Sequence, residues 1–202
     1  MEVLMKEYIC HSGGAQGADS YFAYMCAELK TARCIAHTFK GHRVNEINGW
    51  TVDELYNPED IIVHSQEELA IADSYLKIAN KHINRQFPTK SEFVNNLLRR
   101  NYYQVKDTQG IFAISSFDEK GKVKGGTAWA VYMAIDMGKL VYVFDQVQNQ
   151  WFIVCYEKKK WIKTEAPILT EVFTGIGTRE INEKGRMAVD RLFETIFEST
   201  DI

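Results

Sequence analysis

HSGGAQGAD, residues 11–19, sits between the apolar run YIC (8–10) and a second apolar run, YFAYMCAEL (21–29). An extended apolar run, a glycine turn and a longer apolar run read as strand, loop and helix. The three glycines Gly13, Gly14 and Gly17 need a reason, because glycine costs backbone entropy and weakens a first helical turn. Two readings fit the pattern. Free N–H groups and the positive end of the helix dipole can converge there on an anion, or the loop is a tight turn that lets the helix pack back on its sheet.

The strand-and-helix alternation continues along the chain. CIAHTF (34–39) reads as a second buried strand, followed by an irregular loop, KGHRVNEINGW (40–50). Leu69, Ala72, Leu76, Ala79 and Ile83 recur at helical spacing, which predicts one amphipathic helix over 65–83, opened by a Ser65 and Glu68 capping box. A second helix is expected from Ser91 to Val105, with Val94, Leu97, Leu98, Asn101, Tyr102 and Val105 along one side. GIFAIS (110–115) and LVYVFD (140–145) read as strands around a glycine turn, a buried helix and a Gly138 cap. WFIVCYE and WIKTE flank Lys158, Lys159 and Lys160 as an antiparallel edge hairpin, and Ala188, Val189, Leu192, Phe193, Ile196 and Phe197 form the buried stripe of a last helix.

This order predicts an α/β fold, Rossmann-like and three-layered, with a mostly parallel sheet and an antiparallel edge hairpin. With 202 residues, 46% of them hydrophobic, a single domain spanning 1–202 is expected, with a helical insertion around 45–105. The net charge of −3 gives no global attraction to nucleic acid, so a nucleic-acid partner is not favoured. No run approaches a membrane span and the opening stretch lacks a signal-peptide core. Cys10, Cys26, Cys34 and Cys155 form no C-x-x-C pair and read as reduced thiols of a cytoplasmic protein. The histidines are scattered, so neither a metal nor a cofactor is expected, while a homo-oligomer stays open.

Ligands of parallel sheets bind outside the carboxyl ends of the strands. HSGGAQGAD, KGGTAW and TGIGTRE each follow a strand, which brings three glycine loops to one rim. The candidate ligand-binding residues are therefore Ser12, Gly13, Gly14, Ala15 and Asp19 from the first loop, and Gly125, Gly126 and Thr127 from the second. Gly175, Gly177, Thr178 and Arg179 come from the third, with Arg43 and Asn101 as further candidates and Thr174 as an additional hydroxyl. Arg179 carries a fork of donors suited to phosphate, or pairs with Glu180. Asp19 holds a ribose hydroxyl, orients a loop, or complements the helix dipole. Trp129 and Phe39 offer aromatic faces for a base, although Trp129 lies on a helix apolar all round and reads equally as core.

SGGAQGAD, GGTAWAV and GIGTR, in this order, resemble the glycine loops of the SLOG superfamily. That Rossmann-like group includes lonely-guy phosphoribohydrolases, molybdenum cofactor carrier-like proteins, DNA-processing A proteins and ligand-sensing domains of defence effectors. The resemblance implies binding of a nucleotide-derived ligand, such as a signalling nucleotide or an ADP-ribose derivative. Such binding would serve sensing or sequestration, including a viral anti-defence sponge. The hydrolases carry Pro-Gly-Gly-x-Gly-Thr-x-x-Glu, whereas this chain has Lys124, Gly125, Gly126, Thr127, Ala128, Trp129 and Ala130, so the proline, the second spaced glycine and the catalytic glutamate are absent. An N-glycosidic hydrolase would have to use another acid, Asp19 or Glu180. A nucleic-acid-binding module is the third alternative.

Overall fold

The computed structural model describes residues 7–30 and 32–198, without the side chains of residues 197 and 198. The opening residues 1–6 and the expected burial of Phe197 therefore lie outside the described residues. Eight strands form one sheet: β1 (Tyr8–Ser12), β2 (Ala32–Phe39), β3 (Ile61–His64), β4 (Gly110–Ser115), β5 (Leu140–Asp145), β6 (Gln150–Cys155), β7 (Lys160–Thr164) and β8 (Val172–Gly177). Their order is β3-β2-β1-β8-β4-β5-β6-β7. The six strands from β3 to β5 pair in parallel, and β6 and β7 add the antiparallel hairpin.

Seven helices, α1 (Ala18–Leu29), α2 (Val52–Leu55), α3 (Gln66–Ile71), α4 (Asp73–Ile83), α5 (Glu92–Val105), α6 (Thr127–Asp136) and α7 (Glu183–Glu198), cover the two faces. Alternation along β4 explains the two cores. Phe112 and Ile114 pack with Phe22, Phe173 and Phe193 under α1 and α7, whereas Ile111 and Ala113 pack with Leu76, Trp129 and Met133 under α4 and α6. Every residue of β4 is buried, as a parallel strand covered on both faces must be.

Three local expectations need correction. The helix over 65–83 is two helices meeting at Ala72, because Leu69 serves the Phe39 and Tyr103 cluster while Leu76, Ala79 and Ile83 serve the core under α6. The Ser65 and Glu68 capping box is present. IIVH (61–64) is an edge strand, too short for its pattern to be read, and it joins the 45–105 stretch to the sheet through β2. TGIG (174–177) continues strand β8 instead of turning. Its glycines make room: a Cβ on Gly175 would lie 2.4 Å from Phe22 Cγ, and one on Gly177 would lie 2.3 Å from the Ile114 carbonyl oxygen.

Candidate functional site

Strand β8 lies between β1 and β4, so the chain departs in opposite directions on either side of it. A crevice opens at such a switch point, beyond the carboxyl ends of the strands. Here it is a cleft of about 840 Å³, lined from the β1, β4 and β8 loops, the start of α6 and one side of α5. Ala15, Asp19, Arg43, Asn101, Gly125, Gly126, Thr127, Gly177, Thr178 and Arg179 all reach it.

The first glycine loop is packed, not open. A Cβ on Gly17 would meet the Thr178 carbonyl oxygen at 2.3 Å, and one on Gly13 would meet Asp19 Oδ2 at 2.7 Å and the Arg100 guanidinium at 2.8 Å. Gly14 has φ +62° against Val44. The N–H groups at the start of α1 are engaged: Ala18 donates to Thr178 O at 3.0 Å and Ser20 to Ala15 O at 3.1 Å. Ser12 is fully buried and donates to Asp19 O. Ser12, Gly13 and Gly14 thus stand behind the cleft wall, as does Gly175 under Phe22. Thr174 is taken up by Gln104 O at 2.6 Å and Thr108 at 3.0 Å. The tight-packing reading accounts for this loop.

The free helix N-terminus belongs to α6. Gly126 caps it without a side-chain bond, and the N–H groups of Gly126, Thr127 and Ala128 have no acceptor among the described residues. Nothing lies within 4 Å of a Cβ built on Gly125 or Gly126. Unpaired donors and the positive dipole end therefore face the cleft.

Arg100 forms the cleft floor. It is 5% exposed, donates to the Gly13 carbonyl oxygen, stands 4.0 Å from Asp19 Oδ2, and keeps its Nε without a partner. It also contacts His42 Nε2 at 2.9 Å. The same Arg100 Nη1 is 3.3 Å from His42 Nδ1, which also lies 2.8 Å from Thr38 Oγ1. Burial, followed by the charges of Arg100 and Arg179, pushes His42 down to about 3. Asp19 accepts from the Gly177 N–H at 3.0 Å, which clips α1 to β8 and orients both loops. Burial lifts its carboxyl to about 6, against the pull of Arg100 and backbone donors. Arg179 is exposed at the mouth and has no ion pair among the described residues, Glu180 included.

The aromatic lining is Phe93, 47% exposed and backed edge-on by Phe39 at 5.4 Å. Trp129 and Phe39, the aromatic candidates of the sequence, are buried at 3% and 2% and do not line the cleft. Asn101 lines it while accepting from Gln104 Nε2 at 3.1 Å. Arg100 and Phe93 were missed by sequence reasoning. Phe93, Leu97, Arg100 and Asn101 share one face of α5 at spacings of four, seven and eight residues; that mixed stripe was the available signal. Arg99 faces away, bonded to Asp73 at 2.6 Å and to Glu92.

The scattered histidines come together in the fold. His11, His37 and His64, on adjacent strands, share hydrogen bonds of 2.8 and 3.0 Å, and His64 stacks on Tyr103. Burial lowers all three from the usual imidazole value, His37 to about 2.

No protein-family model matches this chain, and no curated protein matches it. A solved structure from Syntrophus aciditrophicus, provisionally named a molybdenum carrier protein, aligns over 95% of both chains with 17% identity and a TM-score of 0.49.

Proposed function

We propose that the cleft binds a nucleotide-derived small molecule, a signalling nucleotide or an ADP-ribose-type ligand, for sensing or sequestration. The observation that carries this reading is Arg100, a buried guanidinium with an unpartnered Nε on the cleft floor. A buried cation held only at 4.0 Å by its carboxylate is poorly compensated, and an incoming phosphate would complete its pairing. The free N–H groups at the start of α6 and the unpaired Arg179 supply further donors to the same anion. Phe93 offers the face on which a base stacks. The volume suits a nucleotide-sized ligand, and the SLOG-like order of the glycine motifs agrees with this class.

Calorimetric titration with ADP-ribose, pyrophosphate and adenosine tests the reading. ADP-ribose is expected to bind, adenosine to bind at least about tenfold more weakly through loss of one charge-assisted bond. Phe93→Ala should weaken ADP-ribose and leave pyrophosphate unchanged. Adenosine binding as tightly as ADP-ribose would overturn it.

One observation favours a second reading, N-glycosidic hydrolysis: Asp19 lines the cleft with its carboxyl raised to about 6, in the range of a general acid. Release of free base from AMP or ADP-ribose, abolished by Asp19→Asn, would select the hydrolase.

A further inference from the structure

On the opposite side of the sheet core from α6, three thiols converge. Cys10 on β1 and Cys34 on β2 are register partners of adjacent parallel strands, so both side chains emerge on the face covered by α1. Cys26 reaches them from α1, and the three Sγ atoms lie within 4.8 Å of one another. All three residues are 4% exposed or less and none forms a disulfide.

Two further observations set this cluster apart from ordinary core thiols. A second cavity of about 720 Å³, between α1, α2 and the start of β2, is lined by Cys26 and Cys34, which gives a solute a route to the sulfurs. The same cavity is lined by Tyr56, 4% exposed, whose hydroxyl has no hydrogen-bond partner. A buried phenol without an acceptor is costly, and a polar solute in this cavity would supply one.

We propose that Cys10, Cys26 and Cys34 form a trigonal thiolate site for a soft monovalent metal ion of the copper(I) class. Soft sulfur ligands select such ions. Metal–sulfur bonds of about 2.3 Å in a trigonal arrangement hold the sulfurs about 4 Å apart, inside the 4.8 Å that bounds their separation here. Among the described residues no histidine or carboxylate completes a fourth position in this group, so they do not offer the tetrahedral closure of structural zinc. Binding forms three metal–sulfur bonds, and the thiol protons leave to solvent. The ion keeps its oxidation state, so no oxidant or reductant is consumed.

Anaerobic titration of the reduced protein with copper(I), competed against a chromophoric chelator, tests the site. One ion per chain is expected, with near-ultraviolet thiolate charge-transfer absorption and protection of three of the four cysteines from a thiol reagent. Loss of a ligand in Cys26→Ala or Cys34→Ala should cost more than about 100-fold in affinity, since outer partners alone account for about 10- to 100-fold. Cys155→Ser should bind as the parent does. If an alanine variant fails to fold, the stoichiometry and the charge-transfer absorption of the parent chain decide instead. Unprotected thiols, binding lost in Cys155→Ser, or tight four-coordinate zinc in preference to copper(I) would overturn the proposal. Nucleotide binding in the main cleft should be indifferent to Cys26→Ala, so the two sites fail separately.

Discussion

The Arg100 guanidinium stands 4.0 Å from the Asp19 carboxylate, with both side chains nearly inaccessible to water. The pair is too long for a strong hydrogen bond, yet each charge is the other's main compensation. Breaking a buried pair by removing one partner costs about 3 to 5 kcal/mol, because the other is left uncompensated. Arg100→Met should therefore lower the melting temperature markedly, and Arg100→Met with Asp19→Asn should recover most of the loss. Ligand binding should stay absent in both. Thermal melts and titrations of the two variants check this; a double variant as unstable as the single one would mean that Arg100 acts through packing alone.

Arg179 should behave differently. It lies exposed at the cleft mouth without an ion pair among the described residues. A charge-assisted bond to phosphate is worth about 1.5 to 3 kcal/mol, so Arg179→Ala should weaken binding about 10- to 150-fold. Stability should hold to within about 1 kcal/mol. Calorimetry beside a melt of the same variant reads both numbers.

Acid should destabilise the fold through its buried histidines. Burial keeps His11, His37, His42 and His64 below their ordinary value of 6.5, with His37 at about 2 and His42 at about 3. Below pH 6.5 the unfolded chain takes up protons that the folded chain refuses. The stability these groups contribute is thus complete above 6.5 and is lost as pH falls toward their folded values. Asp19 works the other way, since its carboxyl is raised from 3.8 to about 6; its contribution is complete below 3.8 and lost as pH rises through about 6. The histidines outnumber it, so stability should fall by at least about 1.4 kcal/mol per pH unit below 6. Urea melts across this range measure the slope, and Asp19→Asn should steepen it. A flat profile would mean that the histidines are protonated in the fold.

The glycines make a paired test. Gly17 has φ +97° and no space for a Cβ beside Thr178 and Arg179, whereas Gly126 has φ −67° and open space. Gly17→Ala should cost more than about 1 kcal/mol, and Gly126→Ala should stay within about 1 kcal/mol of the parent. Equal melting temperatures would contradict the packing account of the first loop.

These same glycines mark how far the sequence could be read. Local pattern was enough for β1, α1, β4, α6, the edge hairpin and the rim shared by three loops, because each depends on its own apolar run and punctuation. It could not tell a glycine that admits a ligand from one that admits another backbone. Gly17 serves Thr178 and Arg179, more than 150 residues away in the chain, and nothing near Gly17 records that contact. Arg100 was hidden for the same reason. Arg99 and Arg100 are adjacent and chemically identical, and only the packing of α5 on the sheet turns one toward Asp73 and the other toward Gly13.

The central claim, that the cleft closes on a phosphate-bearing nucleotide derivative through Arg100, is tested most directly by a thermal-shift screen of the parent chain and Arg100→Met. The panel holds mononucleotides, dinucleotides, cyclic dinucleotides and ADP-ribose isomers. At about 100 times Kd, a ligand bound only by the folded state adds about 2.7 kcal/mol, or about 5 to 10 °C in a domain of this size. The account predicts such a shift for at least one phosphate-bearing compound in the parent and none in Arg100→Met. A panel without a shift in the parent, or a shift of equal size in the variant, would contradict it.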